Sequence, residues 1–152
     1  MMLFSILLIN TFVSWTSSAT LSLTFWSLEK SSIFYDKILG IFDYKRHYTS
    51  DSVCSWISDD KNMPEFLIYA SKLEQKDNIH NIYDPWIHHF CFKIDEKDLV
   101  NEVYEVAKNN GAEILDEPKN YPTYAKNVWS EDYYAVYFND IDGIKLEFTY
   151  IK

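Results

Sequence analysis

The order strand, helix, three strands is written twice in this chain, at a period of about 70 residues, and that repeat limits the fold more than any other feature. In the first copy, Thr20 to Trp26 alternates polar and apolar residues, the mark of a half-buried strand. Ser27 suits the N-cap of a helix over LEKSSIFYDKIL, and Gly40 stands where a helix end is closed. Strands are predicted over Ile41–Tyr48, Ser52–Ile57 and Glu65–Ala70, with Ser58–Pro64 as a polar turn. In the second copy, Ile87–Ile94 reads as a strand and Asp95 as the cap of a helix over EKDLVNEVYEVAKNN. Leu99, Val103, Val106 and Ala107 share one face of that helix, and Gly111 closes it. Strands follow at Ala112–Leu115, Tyr133–Asn139 and Ile144–Tyr150, and Asp142-Gly143 is a tight-hairpin signal between the last two.

Neither half can bury both faces of its own sheet. The economical solution is an α+β fold in which two paired β-α-β-β-β modules form a cupped mixed sheet backed by helices. The expected domain covers 19–152, with modules at 19–71 and 86–152 and a polar linker from Ser71 to Pro85. Residues 1–18 stand apart. Leu3 to Val13 is an apolar run too short to span a bilayer as a helix, and Ser17-Ser18-Ala19 resembles a signal-peptidase site. No Lys or Arg precedes the run, so a leader, an extra apolar strand or helix, and a start outside the folded unit all stay open. The expected location is the cytoplasm, or outside it if 1–19 are a cleaved signal peptide.

A net charge of −9 lacks the basic footprint that phosphates require, so nucleic acid is excluded as a partner and an anionic membrane surface is disfavoured. Aromatics reach 18%, which suits strands and also the lining of apolar ligand pockets. Cys54 and Cys91 lie in separate strand-like runs, in no metal or redox spacing, and read as free thiols.

Strand alternation assigns the faces. Ile144, Leu146, Phe148 and Tyr150 form a core face, which sends Glu147 to the opposite, concave side. Phe90, Phe92 and Ile94 are core, with His88 on their side, and His89, Cys91 and Lys93 are concave. Leu21, Leu23 and Phe25 are core, and Thr20, Ser22, Thr24 and Trp26 face the cup. An imidazole and a carboxylate in one cup suit a divalent cation such as Fe, Mn, Ni or Zn, although two ligands are too few for tight binding. Beside an apolar pocket, the Glu147 pKa is expected to rise toward neutrality, which suits a general base.

Several stretches resemble the vicinal-oxygen-chelate superfamily of glyoxalases and extradiol dioxygenases. They are I-H-H-F-C-F-K-I (87–94), N-N-G-A-E-I (109–114), P-K-N-Y-P-T-Y (118–124), Y-Y-A-V-Y-F-N-D-I-D-G-I-K-L-E-F (133–148) and L-E-K-S-S-I-F-Y-D-K-I-L-G (28–40). The resemblance implies a metal in the cup, with His89 as the fifth-strand ligand and Glu147 as the eighth-strand ligand and catalytic carboxylate. It places the first-strand ligand at Thr20, which is not a histidine, and the fourth-strand ligand near Phe66, which cannot ligate. Thr20, water or His47 would then complete the shell, and Thr20, Tyr124 and Tyr133 would contact substrate. Tyr121 also flanks the last hairpin, and such tyrosines often close over ligand in that family. Two functions are implied. One is a metal-dependent small-molecule enzyme of lyase, isomerase or oxygenase type that chelates vicinal oxygens. The other is a metal-free protein that binds a small aromatic or amphipathic molecule. A homodimer is the assembly such domains commonly adopt.

Overall fold

The structure is a computed structural model that describes residues 2–4, 7–8, 11–12, 20–72, 88–127 and 130–152. The start of the predicted strand at Ile87, most of the predicted linker and the Ser17-Ser18-Ala19 site lie outside the described residues. The first module contains β4 (Thr20–Phe25), α1 (Leu28–Gly40), β5 (Tyr44–Thr49), β6 (Val53–Ser58) and β7 (Glu65–Ala70). The second contains β8 (Phe90–Ile94), α2 (Lys97–Asn109), β9 (Glu113–Asn120), α3 (Pro122–Asn127), β10 (Tyr133–Asn139) and β11 (Lys145–Ile151). Three short strands precede them: β1 (Met2–Phe4), β2 (Leu7–Leu8) and β3 (Thr11–Phe12).

Each module builds its own mixed sheet, and the two follow one plan. The first has the order β4-β7-β6-β5, and the second has β8-β11-β10-β9 with β1 added on the outer edge of β8. In each, the first and last strands run parallel and the rest are antiparallel. The helices lie on the apolar faces. Phe25, Phe66, Ile94, Leu146 and Phe138 are fully buried there against Ile38, Val100 and Val103. One core runs through both modules. Phe42 of the first stacks on Phe148 of the second at 5.9 Å, and Phe34 meets Phe138 edge-on at 6.5 Å. The modules are thus fused by aromatic packing, in keeping with the α+β pairing that the repeat predicts.

Local signals explain most boundaries. Ser27 caps α1 by accepting the Lys30 amide at 3.4 Å. Gly111 and Gly143 take φ of 93° and 84°, the left-handed conformation that the helix end and hairpin require. Other boundaries differ from expectation. Gly40 is the last residue of α1, and the left-handed position falls on Asp43 (φ 60°). The amides of Phe42 and Asp43 bond back to Leu39 and Gly40, so β5 begins at Tyr44 rather than Ile41. Glu96, not Asp95, occupies the N-cap of α2, with no side-chain cap bond. β9 extends to Asn120 and tolerates Pro118 because it is an edge strand. Among the described residues, no helix is long and apolar enough to cross a membrane.

Candidate functional site

Glu147 lies near the middle of β11, which has β8 on one side and β10 on the other. The ladders set Cys91 and Tyr137 directly beside it. Alternation turns Leu146 and Phe148 toward the helices and Glu147 and Thr149 toward the far face. On that face Glu147 is only 2% exposed, so its charge needs compensation from the protein.

Three side chains supply it. The Tyr133 and Tyr137 hydroxyls donate to Oε1 at 2.5 and 2.7 Å. His89 Nε2 lies 3.1 Å from Oε2. His89, immediately before β8, also sets its Nδ1 2.7 Å from His88 Nδ1, so one of these two nitrogens carries the shared hydrogen. Burial pushes the Glu147 carboxyl up, but the bonds from His89, Tyr133 and Tyr137 outweigh it and hold the group below the ordinary glutamate range. The expected rise toward neutrality is therefore reversed, because the pocket delivers three donors rather than an apolar wall. The same anion raises its neighbours. Burial and then the Glu147 charge push the Tyr133 and Tyr137 phenols and the Cys91 thiol well above their usual values.

Two further tyrosines pack against Tyr133 and Tyr137. Tyr121 and Tyr124 stack at 5.4 Å and nearly parallel, and both meet Tyr133 edge-on. Tyr121 also meets Tyr137 edge-on at 5.4 Å. α3 carries Ala125 into the same cluster. Asp116 accepts the Tyr121 hydroxyl at 2.8 Å, and bonds from Lys119 and Tyr121 hold its own carboxyl low.

Of the residues singled out in the sequence, His89, Glu147 and Tyr133 meet directly, and Tyr124 joins through Tyr133. Thr20 sits on β4 in the other sheet, exposed and paired with Glu65. It is seven residues before the Ser27 cap, as His89 is seven before the Glu96 cap, so the two positions correspond in the internal repeat. The repeat also gives the first-module counterpart of Glu147. Ser22 pairs with Leu67 as Cys91 pairs with Glu147, so the counterpart of Glu147 is Leu67. Phe66 points into the core, fully buried. His47 is exposed on β5, at the far edge of the first sheet from β4. Sequence reasoning passed over Tyr137, although it shares parity with Tyr133 and faces Glu147 across the ladder.

The donor set can be tested against a resident metal. Two ligand atoms each about 2.1 Å from one cation lie roughly 3.0–3.4 Å apart, so the 3.1 Å between His89 Nε2 and Glu147 Oε2 is compatible. Oε1, however, is taken by two phenols, and the corresponding positions of the first module are Thr20 and Leu67.

The fold is that of the glyoxalase and vicinal-oxygen-chelate proteins. A glyoxalase/bleomycin resistance protein from Albidiferax ferrireducens superposes with a TM-score of 0.68 at 19% identity, over 87% of this chain and 97% of that one. A glyoxylase/bleomycin resistance protein/dioxygenase domain from Frankia sp. gives 0.69 at 18% identity, over 92% and 99%. A glyoxalase-related enzyme from Fulvimarina pelagi gives 0.62 at 16% identity, over 87% and 86%. No family model matches the sequence, and no curated protein matches it significantly.

Proposed function

We propose that this chain is a metal-free small-molecule-binding protein built on the glyoxalase fold. One observation carries the reading: the two atoms best placed to hold a cation, His89 Nε2 and Glu147 Oε2, bond to each other, while two tyrosines occupy Oε1. A carboxylate with three protein donors is already compensated and gains little from a metal. In this reading Glu147 orders the aromatic cluster. Each phenol spends its proton on Glu147 and keeps lone pairs that accept from a ligand. The ligand class is a small aromatic or amphipathic molecule that carries hydrogen-bond donors, held against the faces of Tyr121, Tyr124 and Tyr133.

The second reading, a metal-dependent lyase, isomerase or oxygenase, draws support from the 3.1 Å separation of His89 and Glu147. A thermal-shift screen of aromatic and amphipathic compounds, run with and without a strong chelator, separates the two. Stabilisation that survives chelation and is lost in Tyr133→Ala supports the binding protein. Stabilisation that appears only with added transition metal overturns it.

A further inference from the structure

The loop between β10 and β11 buries two carboxylates, Asp140 and Asp142, at 4% and 9% exposure. Asp142 Oδ1 accepts the Trp26 amide at 2.9 Å, and its Oδ2 accepts the Ser31 hydroxyl at 2.6 Å. Asp140 Oδ2 accepts the Tyr35 hydroxyl at 2.7 Å, and its Oδ1 accepts the amides of Asp142 and Ile144 at 3.0 and 2.9 Å. Trp26, Ser31 and Tyr35 belong to the first module and lie 105 to 116 residues away in sequence. Two acids therefore grip the end of β4 and the buried face of α1 from the last hairpin of the other module.

These donors are hydroxyls and amides, which carry no charge. The cation that lines the adjoining cleft is Lys30, on the exposed side of α1, and α2 contributes the neutral Asn110. Two carboxylates two residues apart, buried without a bonded cation among the described residues, repel each other in a weakly screened setting. We propose that this pair of aspartates is a pH-sensitive latch between the modules, tighter at mildly acid pH than at pH 8.

Burial pushes the Asp140 carboxyl up to about 6, against the bonds from Tyr35, Ile144 and Asp142, and the nearby Asp142 charge adds to the rise. The folded value lies above the ordinary aspartate value of about 3.9, so the stabilisation is complete below about pH 4 and is lost as pH rises through about 6. A proton on Oδ2 reverses the Tyr35 bond, so that the carboxyl donates to the phenol, and leaves Oδ1 free to accept both amides.

The test is the thermal midpoint of the full chain from pH 4 to 8, for wild type, Asp140→Asn and Tyr35→Phe. The wild type should lose stability with rising pH in a step that runs from about pH 4 to about 6 and levels off above it, and Asp140→Asn should abolish that step. The four histidines are present in both proteins, so the difference profile isolates Asp140. Tyr35→Phe keeps the acid but removes a bond that favours its charged form, so the step should move to higher pH, which serves if the asparagine variant does not fold. Hydrogen exchange at the Trp26 amide, corrected for its intrinsic pH dependence, should be faster at pH 8 than at pH 5. An unchanged step in Asp140→Asn, an unshifted step in Tyr35→Phe, or a flat wild-type profile would overturn the latch.

Discussion

Tyr137 stands directly across the antiparallel ladder from Glu147, and its hydroxyl donates to Oε1 at 2.7 Å. Tyr133 reaches the same oxygen from the same strand. Removing either hydroxyl leaves a buried anion one donor short, which costs about 1–3 kcal/mol. Tyr137→Phe and Tyr133→Phe should each lower the urea midpoint. The double variant should depart from additivity, because both donors share one acceptor atom.

Glu147 gives the fold an acid-sensitive element. Its folded pKa is depressed, so its stabilisation is present above the unfolded value of about 4.3 and is lost as pH falls through the lower folded value. Glu147→Gln keeps the shape without the charge. Wild type and variant should converge in stability as pH falls through the depressed folded value, where the wild-type carboxylate takes up its proton. Urea titrations from pH 7 to pH 3 measure this, and parallel profiles would remove Glu147 from the acid response.

Cys91 lies beside Glu147 on β8, and burial together with that anion pushes its thiol well up. The thiolate is the reactive form, so native Cys91 should react slowly with a disulfide reagent at pH 8. Glu147→Gln should speed its modification, and full unfolding should expose both free cysteines at the ordinary rate. Mass spectrometry after timed alkylation reads the two sites separately.

Phe148 joins the modules. It stacks with Phe42 of the first and with Phe92 and Phe138 of the second. Phe148→Ala should cost about 3–5 kcal/mol, as for other fully buried aromatics. Because the core is continuous, the loss should appear in one cooperative transition, read by calorimetry, rather than as separate melting of one module.

Much of this architecture can be read from the residues because the repeat imposes it. Period-two alternation places Glu147, His89 and Cys91 on one face; the β8–β11 ladder sets Cys91 beside Glu147, and His89 bonds to it. The same rule covers Tyr137, four residues from Tyr133, although its pairing with Glu147 depends on the β10–β11 register. α3 escaped notice because PTYAKN is too short to show a helical period, even though Pro122 at the first helical position is a recognised start signal. The direction of the Glu147 pKa could not follow from alternation along one strand. Its three donors come from β10 and from the residue before β8, so only the assembled sheet shows that the acid is compensated. The Asp140–Asp142 grip on α1 is likewise invisible in sequence, where its partners lie more than a hundred residues away.

The central claim is that His89 and Glu147 satisfy each other and hold no resident metal. The direct measurement is the transition-metal content of the purified full chain by inductively coupled plasma mass spectrometry, after equilibration with Fe, Mn, Ni and Zn salts and gel filtration. The account predicts far less than one equivalent, unchanged in His89→Ala and Glu147→Ala. Close to one equivalent in the wild type, lost in both variants, would contradict it.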